Sequence, residues 1–165
     1  MTVDEIAEAA DVSPRTFFRY FPVKEDVILT DLQDQAAVLL EALAARPAEE
    51  PPLTALRQAL RGPLERLMAQ PALCGVLRVV KSCPSVQAHD MARRVRTEAS
   101  IASLLAERAG VDPRTDPRPL LMATTFMAGV GAIFSAWIDD GSPDDLEERI
   151  DAFTELLRNG FEGAA

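Results

Sequence analysis

The chain has 165 residues, with 17 lysines and arginines against 26 aspartates and glutamates, for a formal net charge of −9. That length suits one domain, or a small domain joined to a medium one, and 48% hydrophobic with 26% charged residues excludes wholesale disorder. So acidic a balance argues at first against a nucleic-acid partner, because phosphates are neutralised by Lys and Arg.

Thr2-Val3-Asp4-Glu5 has the form of a capping box, in which Thr2 accepts from the Glu5 amide while the Glu5 carboxylate reaches back. The helix it starts would bury Val3, Ile6 and Ala10 and stop at Asp11, a residue that tolerates left-handed backbone. Ser13-Pro14 then supplies an N-cap and a first-turn proline. Arg15 to Phe21 fills the helix that follows, with Phe17 and Phe21 four residues apart and turned toward a core. Two short helices across a tight turn make a helix-turn-helix. The second carries Arg15, Thr16, Arg19 and Tyr20, donors suited to phosphates and base edges.

Twelve prolines parse the remainder, and the periodicity between them is helical. Ile28, Leu32, Leu39 and Leu43 share one face of a long helix predicted over about 24–45. Leu53, Leu56, Leu60, Leu64 and Leu67 mark the next, which Pro63 is expected to kink. A short apolar stretch, 73–81, follows Pro71, and Val95, Ile101, Leu104 and Leu105 belong to a long helix over about 85–109, ended by Gly110. An uncharged helix begins at Pro119, and Leu146, Ile150, Phe153, Leu157 and Phe161 form the stripe of the last one. Sustained period-2 alternation is absent, so the expected fold is all-α. The 47–52 stretch, Pro-Ala-Glu-Glu-Pro-Pro, divides a helix-turn-helix part with its connecting helix, 1–45, from a larger C-terminal bundle, 51–165.

The run from Leu120 to Ile138 carries no charge and meets the length of a membrane span. It also holds Thr124, Thr125, Ser135 and two glycines, so the favoured reading is a helix with one face in a core and the other on a partner, and no membrane. Ala128, Ala132 and Ala136 recur every four residues and would let a second helix approach closely. Cys74 and Cys83 are expected to be reduced and buried. No clustered ligand set for a metal and no cofactor motif is visible, and without an export-type leader at the start the expected location is the cytoplasm.

Residues 2–10, Val12-Ser13-Pro14-Arg15-Thr16-Phe17-Phe18-Arg19-Tyr20-Phe21-Pro22 and Lys24-Glu25-Asp26-Val27 closely resemble the DNA-binding segment of TetR-family transcriptional regulators. The match is dense over about 26 residues and specific. The resemblance implies an all-helical homodimer that reads a palindromic double-stranded operator, with a variable C-terminal domain that binds a small effector and lowers DNA affinity. Carried over position by position, Ser13, Pro14, Arg15, Thr16, Arg19 and Tyr20 would face DNA, while Thr2 and Lys24 would hold phosphates. Phe18 stands where many relatives have a phosphate-bonding Tyr, and Val23 replaces the usual Ser or Thr cap, at a cost of about 1 kcal/mol. Family members also place a further helix ahead of the capping box. The chain is therefore expected to be short of its first helix, with Ile6, Phe17, Phe21 and Val27 under-covered and operator binding weak; an in-frame amphipathic helix upstream of Met1 supports this, and a nearby stop codon sinks it.

Arg78, Lys81, Arg93, Arg94 and Arg96 fall within nineteen residues, opposed inside that span only by Asp90. They read either as a solvated helix face or as counter-charge for an anionic effector. Leu77-Arg78, the Arg-rich helix, residues 107–113 and Ala136-Trp137-Ile138-Asp139-Asp140-Gly141 resemble a TetR subgroup, that of the mycofactocin regulator, whose C-terminal domain is thought to take acyl-CoA-like ligands. On that resemblance Arg93 and Arg96 would meet the ligand's charge and Leu67, Leu77, Val80, Phe126 and Met127 would line an acyl tunnel, although each apolar residue suits plain core equally. Ala128, Ala132, Phe134, Trp137, Ile150, Phe153 and Leu157 are the candidate dimer surface.

An enzyme is not expected. One histidine, His89, lies near Ser82 and Ser85 without an orienting acid, and neither a glycine-rich phosphate loop nor a nucleophile elbow occurs. The alternative is a DNA-binding-deficient helical dimerisation protein, supported only by the missing helix. The net charge does not decide against DNA once resolved along the chain, because 13–24 holds no acid and carries Arg15, Arg19 and Lys24.

Overall fold

The computed structural model of the chain describes residues 13, 15–16, 25–69, 84–140 and 145–160. At its start the Ser13 hydroxyl accepts the Thr16 amide at 3.1 Å and lies 2.9 Å from the Thr16 hydroxyl, the N-cap geometry the Ser-Pro pair predicts. Helix α1 follows over Glu25–Ala44, α2 over Pro52–Ala69, α3 over Pro84–Ala109, α4 over Arg118–Asp140 and α5 over Leu146–Asn159. Strands are absent among the described residues. Cys74, Cys83 and the side chain of His89 lie outside them, as does the apolar stretch 73–81.

Each helix puts its apolar stripe into one core. Leu43, Leu56, Leu64, Ile101, Phe126 and Ile150 are fully buried there, which removes side chains from all five helices from water at about 1.5–3 kcal/mol apiece. Helix α1 packs on α2 and α3, α3 on α4, and α5 closes the bundle against α2 and α4. Pro63 sits inside α2, buried, and the helix runs through it.

Two helix ends are set by particular residues. Helix α3 stops at Gly110, whose φ of +63° only glycine adopts freely. The Gly110 amide bonds the Glu107 carbonyl at 3.1 Å and the Val111 amide the Ala106 carbonyl at 3.0 Å, the paired bonds of a Schellman turn. Before α4, the Asp116 carboxylate accepts the Arg118 amide at 3.0 Å.

Charged groups tie the helices where apolar contact ends. Arg108, in the last turn of α3, donates to the carbonyls of Arg46 at 2.9 Å, Pro47 at 2.6 Å and Glu50 at 3.0 Å, and so holds the corner between α1 and α2. Arg46 and Glu50 close the same corner with a two-bond ion pair. Arg57, 8% exposed in the apolar stripe of α2, bonds Asp151 and, at 3.2 Å, Glu147 of α5. Burial by itself would favour the neutral guanidine, but the hydrogen bonds Arg57 donates to Asp151 and Glu147 outweigh it and raise its pKa.

Helix α4 is long and apolar enough to cross a membrane by length and composition alone. Ala123, Phe126, Val130 and Trp137 put one face in the core, while Leu121, Ala128, Ala132 and Ala136 are exposed along another.

Candidate functional site

A cavity of about 430 Å³ lies among α1, α2, α3 and α4, within the size range of small-molecule sites. Its apolar walls come from Leu39 of α1, Leu60, Leu64 and Leu67 of α2, and Val130 and Ile138 of α4. The stripes that build the core therefore also build the cavity.

The polar side chains of the wall are Gln35, Gln87, Asp90, Arg93, Arg94, Thr97 and Ser135. Asp90 and Arg93, one turn apart on α3, pair through bonds of 2.6 and 3.0 Å. Arg94 lies beside them and its guanidinium reaches α4, donating to the Met127 carbonyl at 3.3 Å. It rests against Gly131, where an added Cβ would stand 2.5 Å from Arg94 Nη2. Thr97 is buried and its hydroxyl donates to the Arg93 carbonyl at 3.1 Å. Gln35 of α1 also lines the cavity, and its buried Oε1 has no hydrogen-bond partner among the described residues. A second cavity, of about 360 Å³, sits at the opposite ends of α3 and α4, but the Arg118–Asp116 pair and the bonded Arg108 already match its charges.

Of the residues expected to meet a ligand, Leu67, Arg93 and Met127 line the large cavity. Phe126 does not: it is fully buried and its ring meets that of Phe153 at a tilt, centroids 6.3 Å apart, one position along α4 from Met127. Arg96 is exposed and outside the wall, since two residues beyond Arg94 the helix has turned it away. Leu77 and Val80 lie outside the described residues.

Among the candidate dimer residues, Ala128 and Ala132 are exposed. Ile150, with 0% exposure, and Trp137, with 6%, are turned into the chain's own core and leave little or no surface for a second copy. The α5 stripe is spent on α2 and α4, with Phe153 and Leu157 half-buried against the same core. Phe134 belongs to the cavity wall and meets Trp137 edge-on at 6.4 Å. Of the DNA-facing candidates, Ser13 and Arg15 are exposed and Thr16 partly so, while Thr2, Pro14, Arg19, Tyr20 and Lys24 lie outside the described residues.

Gln35 and Arg94 were the polar lining residues that periodicity could have marked. Gln35 fills the gap in the series 28, 32, 39, 43, and Arg94 stands seven residues before the buried Ile101, so both interrupt an apolar face. Among the described residues no group of His, Cys, Asp and Glu could hold a metal ion.

Comparison with known proteins gives two family matches. Residues 50–162 match the family described as MftR C-terminal domain, and residues 1–30 match that described as bacterial regulatory proteins, tetR family. The chain is 37% identical over 163 residues to the HTH-type transcriptional regulator TcmR of Streptomyces glaucescens, covering 94% of this chain and 72% of that one. It is 27% identical over 170 residues to the putative mycofactocin biosynthesis transcriptional regulator MftR of Mycobacterium tuberculosis, covering 98% and 81%. The crystal structure of the TetR-family regulator PfmR from Thermus thermophilus aligns at 22% identity with a TM-score of 0.48, over 97% of this chain and 88% of that one.

Proposed function

The chain belongs to the TetR family of transcriptional regulators, with a C-terminal domain of the MftR type, and from that we propose that it is a cytoplasmic, ligand-responsive repressor. It binds a palindromic operator as a homodimer and is released by a small amphipathic effector of the acyl-CoA kind. The observation that carries this reading is the apolar cavity whose wall includes Gln35, Ala36 and Leu39 of α1, the helix that follows the N-terminal DNA-binding segment. A ligand lodged there touches the one helix that joins the two parts of the chain.

In this reading Ser13, Pro14, Arg15, Thr16, Arg19 and Tyr20 face DNA, and Thr2 and Lys24 hold phosphates. The exposed Ala128 and Ala132 of α4 are the closest-approach positions of the dimer. Leu67, Arg93 and Met127 are the effector contacts retained from the sequence, joined by Gln35 and Arg94. The test is footprinting on DNA flanking the protein's own gene, with and without acyl-CoA thioesters. A protected palindrome lost on thioester addition is expected. A stable dimer that leaves no footprint would instead favour a helical dimerisation protein without DNA binding.

A further inference from the structure

We propose that the cavity takes an apolar organic acid bearing a hydroxyl group, its carboxylate on Arg94 and its hydroxyl on Gln35. This rests on reading the cavity as the effector site, and puts a free acid there in place of an acyl-CoA thioester.

Among the described residues the charges of the wall are Asp90, Arg93 and Arg94. Asp90 and Arg93 pair with one another, so the described part of the wall keeps one net positive charge inside a chain whose net charge is −9. That charge is on Arg94. It is half-buried, and its bond among the described residues goes to a neutral main-chain carbonyl, not to a carboxylate. A guanidinium placed against apolar walls with only a neutral acceptor is incompletely compensated, and an incoming carboxylate makes the stronger, charge-assisted bond. Gly131 gives the guanidinium its seat against the α4 backbone, since any side chain there would collide with Nη2.

Gln35 supplies the second requirement. Its amide has a buried oxygen without a partner among the described residues, in the position of the α1 stripe where an apolar residue would otherwise continue the core. Turning the amide about its last torsion exchanges its donor and acceptor ends. A ligand hydroxyl, which both donates and accepts, satisfies whichever end faces the cavity. Leu39, Leu60, Leu64 and Leu67 then receive the ligand's apolar body.

Calorimetric titration of the full chain with 3-hydroxydecanoate, decanoate, methyl 3-hydroxydecanoate and decanoyl-CoA tests this directly. The hydroxy acid should bind about tenfold tighter than decanoate, which lacks the hydroxyl, and than the methyl ester, which lacks the charge. Arg94→Met should abolish the preference for acid over ester and keep that for the hydroxyl. Gln35→Leu should do the reverse, and Arg94→Lys should keep both. Because each preference is a ratio within one protein, partial unfolding of a variant does not imitate the result. Binding of none of the acids, loss of both preferences together, or tighter binding of decanoyl-CoA that survives both variants overturns the proposal. An operator footprint that ignores 3-hydroxydecanoate while calorimetry shows the two preferences would sink the regulatory reading and leave this site assignment standing.

Discussion

The Phe153 ring of α5 sits directly on the backbone of Gly129 in α4, so that a Cβ at residue 129 would overlap the ring, with Cε1 2.5 Å away. The same ring also meets Phe126 of α4 at a tilt of 36°, with centroids 6.3 Å apart, which limits its freedom to move aside. Gly129→Ala should therefore destabilise the bundle by about 1–3 kcal/mol, the usual penalty for overpacking a fixed neighbour. Urea unfolding followed by circular dichroism measures it. An unchanged midpoint would show that the ring has somewhere else to go. Gly131→Ala meets only the far end of the flexible Arg94 side chain and should cost under about 1 kcal/mol in the same assay.

Arg57 is buried between two acids that are themselves 44% and 59% exposed. Removing the cation leaves carboxylates that water can reach, so Arg57→Ala should cost about 1–3 kcal/mol, less than breaking a fully buried pair. Arg57→Met should recover part of that loss, because the position lies in an apolar stripe of α2. Chemical denaturation of both variants checks the order, and a Met variant less stable than the Ala variant would contradict it.

Asp116 is held at a pKa of about 2, against an ordinary 3.8, by hydrogen bonds from the Arg118 guanidinium and then from the Arg118 amide. The folded state binds this proton less readily than the unfolded chain. The stability linked to it is thus complete above about pH 4 and lost as the pH falls through 2. Carboxyl NMR titration should place the midpoint near 2, and Arg118→Met should return it toward the ordinary range. A wild-type midpoint near 3.8 would refute the pairing.

Arg108 spans from α3 to three carbonyls of the α1–α2 corner. Arg108→Met should destabilise the chain by about 2 kcal/mol, since bonds from a charged donor are lost together. Hydrogen exchange should quicken at the amides of 45, 46 and 48–50 before it quickens at Ile101. Uniform acceleration across both would argue that the residue serves general stability and not the corner.

Much of the fold was legible in the sequence because helices announce their faces and ends locally. The observed α1 begins one residue after the expected 24 and ends one before 45, and Gly110 stops α3 as expected. What was not legible is which neighbour covers a given face. Ile150 and Trp137 read as surface for a second chain because their stripe is apolar, yet that stripe is used up within the subunit. Phe126 and Met127 are adjacent and equally apolar, but only Met127 reaches the cavity. The partners of Arg57 and Arg108 lie 94 and 62 residues away, beyond any local pattern, although an arginine at 57 among Leu53, Leu56 and Leu60 signalled that an acid must meet it.

The Arg108 bonds also define a fulcrum. At ~1.5 Å per residue, Gln35 stands roughly 15 Å along α1 from the corner at Arg46, and Glu25 roughly 30 Å. Any tilt of α1 about the clamped corner moves Glu25 about twice as far as it moves Gln35. A ligand that shifts the cavity wall by a fraction of an ångström is therefore working on the short arm of a lever, whose long arm ends where the N-terminal segment begins.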